Sequence, residues 1–175
     1  MQTETGRPLM SYQVRPLRAD DLPSVTEIYN AACRAKESTQ GTRARSIKEM
    51  RHFIFEESPS FESYTCVDEG AVVGWTALTR FRLSEDVRHT AEMSLYVQKS
   101  FRQKGIGSHL AHTLLSRARI LKLHCISAFV FKDMPTSVSF AERKCGLSAV
   151  GYLPEVFSYG GRYYDVLILE KLIEP

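Results

Sequence analysis

The chain has 175 residues, 43% of them hydrophobic and 25% charged, with a formal net charge of +3. That length buries one sizeable core and leaves no room for a second domain, and the modest, dispersed positive charge gives no reason to invoke nucleic acid. No apolar run approaches the roughly 20 residues that span a bilayer, and Met1 to Leu9 lacks the apolar core of a signal peptide, so no membrane partner and a cytoplasmic location are expected.

Residues 1–11 are polar, contain Gly6-Arg7-Pro8, and read as a flexible N-terminal arm; residues 12–175 read as one domain. Tyr12 to Arg15 is a first strand, and Pro16 to Asp20 a loop feeding a helix. Asp20 or Asp21 caps that helix, Pro23 lies in its first turn, and Val25, Ile28, Tyr29 and Ala32 share one face. Arg34 to Arg45, rich in charge with Ser, Thr and Gly, is expected to be a mobile connection. A second helix runs from Ser46 to Glu57, with Met50, Phe53 and Ile54 at helical spacing.

From Tyr64 the period becomes that of a sheet. Tyr64 to Val67, the turn Asp68-Glu-Gly70 and Val72 to Leu78 make a hairpin, and Arg88 to Val97 is the next strand. Gly105 to Leu121 is a long helix whose Ile106, Leu110, Leu114 and Ala118 recur four apart as a buried stripe. Ile126 to Phe131 is a strand, Pro135 to Cys145 a helix stopped by Gly146, and Val150 to Ser158 and Tyr163 to Leu169 are closing strands. This order predicts a mixed α/β fold, a central mixed sheet with helices on both faces.

Cys33, Cys66, Cys125 and Cys145 are scattered, with no Cys-x-x-Cys pair and no His at ligand spacing, so structural thiols and no metal are expected. His109 and His112 stand three apart without a third ligand nearby.

The chemistry concentrates where the Arg88–Val97 strand runs into a basic, glycine-rich turn opening the long helix. Gly105 and Gly107 let backbone N–H groups converge, the helix N-terminus adds partial positive charge, and Arg102 and Lys104 add formal charge. Such a concavity suits a diphosphate. Gly107 is followed by Ser-His and not by the Lys-Ser/Thr of a P-loop, which argues against phosphoryl transfer. Glu92, Ser94 and Tyr96 alternate, so they form a polar trio on one face of their strand.

Arg102-Gln-Lys-Gly105-Ile-Gly107 resembles the acetyl-CoA signature of the GCN5-related N-acetyltransferases. Ile28-Tyr29-Asn30-Ala31-Ala32, Glu92-x-Ser94-x-Tyr96-Val97 and Gly161-Arg162-Tyr-Tyr-Asp165 resemble the phosphinothricin acetyltransferase branch, so the resemblance covers nearly the whole chain after about residue 12. It implies that acetyl-CoA is held along Leu95, Tyr96 and Val97, by Arg102, Gln103, Lys104, Gly105, Ile106, Gly107 and Ser108, and by Ser137. It implies Glu92 as general base, and Arg82 and Arg88, with Ser94, around a small amine carrying acidic groups. The expected reaction is direct attack in a ternary complex, since no residue is placed as an acyl-carrying nucleophile. Tyr96 and Tyr159 are both available to protonate the departing thiolate. A homodimer is also implied.

The chain departs from the branch after its Ile126–Phe131 strand, where Asp133 stands for Asn, one residue is added before Gly146, and no histidine falls at the usual place. Glu142 or a water must then serve as any second catalytic group. Lys36 to Arg45 also departs, so the acceptor is the least specified part. An acetyltransferase of protein amines and a non-catalytic acyl-CoA sensor are the competing readings.

Overall fold

In the computed structural model, which describes residues 12–56 and 61–174, seven strands build one mixed sheet. The arm expected over residues 1–11 lies outside the described residues. The strands are β1 (Tyr12–Pro16), β2 (Ser63–Asp68), β3 (Ala71–Arg80), β4 (Thr90–Val97), β5 (Cys125–Phe131), β6 (Ser148–Tyr159) and β7 (Arg162–Leu172). The helices are α1 (Leu22–Arg34), α2 (Ile47–Arg51), α3 (Ile106–Ser116) and α4 (Pro135–Arg143). The spatial order is β1-β2-β3-β4-β5-β7-β6; β4 and β5 run parallel and the other neighbours antiparallel.

Alternation along the strands feeds two cores. On one face Leu22, Val25, Ile28 and Tyr29 of α1 and Met50 of α2 pack against Trp75 and Ala77 of β3. On the other, Ile106 and Leu110 of α3 meet Cys66 and Val73, while Leu114 and Ala118 join Ala141 and Cys145 from α4 and its end. The expected stripe of Ile106, Leu110, Leu114 and Ala118 is buried throughout. Helices therefore cover both faces, as the element order predicts. The four cysteines are buried and unbridged. No helix of the described residues is long and apolar enough to cross a membrane.

Four local expectations are corrected. Asp21 occupies the N-cap of α1, but its carboxylate makes no cap bond there; it accepts from the Arg18 amide and pairs with Arg15, a stronger charged partner. The second helix is an α-turn over Ile47–Arg51 that widens into a π-turn over His52–Glu56, and the last residue expected of it, Glu57, lies outside the described residues. The Arg88–Val97 strand begins only at Thr90, after a 3-10 turn at Glu85–Val87. The long helix stops at Ser116, where Arg117 and Ala118 amides reach back only three residues and tighten the end.

The feature that positions the site is a parting of strands. β4 and β5 pair only through Thr90↔Cys125, Ala91↔Ile126 and Glu92↔Ser127. Beyond that point β4 stays with β3 as far as Val97, and β5 stays with β7 as far as Phe131. The two strands diverge into a wedge.

Candidate active site

Backbone direction along β4 follows from its bonds. Thr90 O accepts from the Phe81 amide on the β3 side, whereas Ala91 O accepts from Ser127 Oγ of β5. Strand alternation then turns the backbone groups of Met93, Leu95 and Val97 toward the side β5 has left. Val97 O takes Arg102 Nε at 3.1 Å. Leu95 and Val97 thus present backbone at the wedge, and their side chains pack toward α3.

At the end of β4 the chain enters α3 through two left-handed residues, Gln103 (φ 62) and Gly105 (φ 85). Gly105 is the N-cap and supplies no side-chain cap. The first helical bond is His109 N to Gly105 O at 3.0 Å, so the amides of Ile106, Gly107 and Ser108 have no intrahelical acceptor. A Cβ added at Gly107 would stand 3.3 Å from the Phe140 ring of α4, so this glycine admits a neighbouring helix and its φ is ordinary. Ser137, three residues before Phe140, sits half-buried in the first turn of α4. Uncapped amides beside a wedge of free strand backbone fit a diphosphate carrying an extended amide arm.

Arg102 and Lys104 are less free than their formal charges imply. The Arg102 guanidinium is held by both oxygens of Glu37, at 3.1 and 2.5 Å, and Lys104 Nζ lies 4.8 Å from the Phe101 ring centre.

On the opposite face of β4 the alternating trio is brought together by a side chain from the connection after α1. Gln40 Nε2 donates to Ser94 Oγ at 2.6 Å and to Glu92 Oε1 at 3.3 Å, while its Oε1 accepts from Tyr96 OH at 3.4 Å. Ser38 Oγ lies 2.9 Å from Tyr96 OH, and Thr39 Oγ1 donates to Phe129 O of β5 at 3.0 Å. Ser38 and Gln40 therefore grip β4 and Thr39 grips β5, which roofs the wedge. The connection expected to move freely is instead part of the site, and Ser38 is buried. Burial raises the Tyr96 hydroxyl above its ordinary value, which keeps it protonated.

A cavity of about 440 Å³ opens beside Glu92 and Gln40, with Arg45, Arg80, Phe129 and Phe157 among its walls. Arg82 and Arg88, expected beside the acceptor, are not among its walls. Both are exposed; Arg82 lies over Phe81 and Arg88 Nε reaches His89. The arginines at the cavity are Arg45 and Arg80. The sequence gives Ser38, Thr39, Gln40 and Arg45 no evident role; the departure of Lys36 to Arg45 from the resembled branch is the one signal there.

The comparisons fit this geometry. The model of the acetyltransferase (GNAT) family matches residues 22–147. The L-methionine sulfoximine/L-methionine sulfone acetyltransferase of Pseudomonas paraeruginosa is 27% identical over 170 residues, covering 95% of this chain and 97% of that protein. A phosphinothricin acetyltransferase of Sinorhizobium meliloti, solved with acetyl-CoA, superposes with a TM-score of 0.86 at 26% identity, covering 94% of this chain and 89% of that one. A ribosomal-protein-alanine N-acetyltransferase of Brucella melitensis gives 0.86 at 28% identity over 92% of this chain and 99% of that one. With the wedge, the uncapped helix start and a family match over most of its length, this chain belongs to the GNAT acetyltransferase family and is an N-acetyltransferase that uses acetyl-CoA.

Proposed function

We propose that the enzyme acetylates the primary amine of a small amino-acid-like acceptor, of the phosphinothricin or methionine sulfoximine type, by direct attack in a ternary complex. The observation that carries the reading is the position of Glu92: its carboxylate faces the cavity from the same strand whose other edge offers free backbone to the wedge.

Acetyl-CoA supplies a thioester carbonyl open to an amine, with the C–S bond as the one that breaks and CoA leaving as its thiol. Leu95 and Val97 backbone, the amides of Ile106, Gly107 and Ser108, and Ser137 hold it, with Gln103, Gly105 and the Tyr96 backbone shaping the path. The acceptor amine, with a pKa near ~8, arrives mostly as ammonium and must lose a proton before attack. Glu92 takes that proton, directly or through water. Gln40, itself bonded to Ser94 Oγ, holds the carboxylate at the cavity. Cys145, the thiol of the α4 end, is buried with burial pushing it up to about 11, which suits packing and not acyl transfer.

A homodimer is part of this reading, because β6 is a sheet edge with exposed Val150, Tyr152 and Val156, and Leu153 beside them lines the cavity. A cytoplasmic setting follows from the need for acetyl-CoA. The Brucella melitensis neighbour favours, as a second reading, a protein amine as acceptor.

The test is thiol release from acetyl-CoA with phosphinothricin, methionine sulfoximine, methionine sulfone and ordinary amino acids, wild type beside Glu92→Gln. Turnover on a small acceptor, lowered about a hundredfold or more by the substitution, supports the proposal. Turnover on peptides alone moves the acceptor to a protein, and acetyl-CoA binding without turnover on any amine leaves a sensor.

A further inference from the structure

The guanidinium of Arg45 makes no hydrogen bond or ion pair to any described residue, and its Nη1 is buried without a partner. Its guanidinium carbon lies 4.7 Å from the Tyr29 ring centre and 4.4 Å from the Phe53 ring centre, so two aromatic side chains hold the cation. Its backbone is fixed as well: Arg45 N donates to Asn30 Oδ1 at 2.8 Å, and Asn30 Nδ2 donates to Arg45 O at 3.0 Å. Asn30 is buried in α1, so the arginine is anchored at both ends of its side chain.

Among the described residues the charge meets aromatic rings and no acid. Arg45 has no carboxylate within ion-pair distance, and Nη1 is buried without a hydrogen-bond partner. The Tyr29 hydroxyl beneath it is also buried and unpartnered. An N–H donor is costly to bury unsatisfied, and the planar fork of a partly buried guanidinium matches a carboxylate. Arg45 also lines the cavity that Glu92 faces. The other arginine of that cavity, Arg80, is shared with Glu85 at 3.4 Å.

We infer that Arg45 is the specificity-determining residue of the acceptor site, gripping the acceptor's α-carboxylate while Glu92 faces its amine. The assignment rests on the proposed small-acceptor reaction. It gives the site two poles of opposite charge, which selects a zwitterionic amino acid over a plain amine. The aromatic clamp and the Asn30 anchor fix the guanidinium before binding, which lowers the ordering cost on association.

The test compares L-methionine sulfone with 3-(methylsulfonyl)propylamine, the same molecule without its carboxylate, by calorimetric binding in the presence of CoA. Wild type, Arg45→Gln and Arg45→Lys are compared, with thermal melts checking that each is folded. Wild type should bind the acid at least tenfold more tightly than the amine. Arg45→Gln should erase that preference while leaving CoA binding unchanged, and Arg45→Lys should keep only part of it. Equal binding of the two ligands by wild type, or a preference that survives Arg45→Gln, would overturn the assignment. Thiol release with the same two amines separates the readings: turnover of both without discrimination keeps the small-acceptor reaction and removes Arg45 from it.

Discussion

Gln40 reaches across from the connection after α1 and donates to Ser94 Oγ at 2.6 Å, so a residue outside the sheet fixes the polar face of β4. The same amide nitrogen reaches Glu92, which makes the three side chains one unit. A hydrogen bond to a charged group contributes about 1.5–3 kcal/mol. Gln40→Leu should therefore lower kcat/KM for the acceptor by roughly tenfold or more while leaving the KM for acetyl-CoA unchanged. Ser94→Ala should cost less, and the double substitution little more than Gln40→Leu alone, because the two act through one contact. Steady-state kinetics of the cycle measures this; additive losses would show that Gln40 and Ser94 act separately.

The sheet, its helices and the cofactor turn were legible because each has a local cause. Alternation placed Glu92, Ser94 and Tyr96 on one face, and a four-residue repeat placed Ile106, Leu110, Leu114 and Ala118 in the core. The roof over the wedge was not legible, since Ser38, Thr39 and Gln40 have no periodicity and look like any polar connection. Their order comes from partners 52 to 90 residues away, contacts that no local pattern encodes. Arg45 escaped for the same reason: its clamp joins α1 to the turn after α2. Gly107 has a cause that no local pattern shows: its φ is ordinary, and the approach of Phe140 leaves little room for a Cβ.

Gly105 and Gly107 should therefore respond differently to the same change. Gly105 has φ +85, so Gly105→Ala strains the backbone, at about 1–2 kcal/mol. It should weaken acetyl-CoA binding whatever stands nearby. Gly107→Ala instead drives a methyl against the Phe140 ring at 3.3 Å. Adding Phe140→Leu should restore most of the lost acetyl-CoA affinity to Gly107→Ala and none to Gly105→Ala. Calorimetry on the four variants decides it; rescue of both, or of neither, would contradict the distinction.

The Glu37–Arg102 pair joins the cofactor turn to the segment that roofs the site. Its two bonds occupy the guanidinium that a diphosphate would otherwise attract. The pair is partly exposed, so it is worth about 1 kcal/mol or less, and a doubly charged diphosphate competes with it. Glu37→Gln should free Arg102 and tighten acetyl-CoA binding about threefold to fivefold at low salt, with the gain shrinking at high salt. Isothermal titration at two ionic strengths checks this. An unchanged affinity would mean that the freed Arg102 charge adds nothing and that the backbone amides alone hold the diphosphate.

Asp21 gives the fold its clearest acid sensitivity. Arg15 holds its carboxylate through bonds of 2.7 and 2.8 Å, and the Arg18 amide adds a third at 2.8 Å. These partners, led by Arg15, lower the Asp21 carboxyl from its ordinary 3.8 despite its burial. Between the lowered folded value and 3.8 the unfolded chain binds more protons, so stability rises with pH across that window. The stabilisation is complete above the unfolded value and disappears as pH falls through the folded one. Removing one partner of so buried a pair costs about 2–4 kcal/mol at neutral pH. Asp21→Asn should accordingly lower the denaturation midpoint at pH 7, and the difference from wild type should narrow as the pH is brought from 5 toward about 3. Urea titrations across that range measure it; a deficit that stays constant with pH would assign the loss to packing and not to the charge of Asp21.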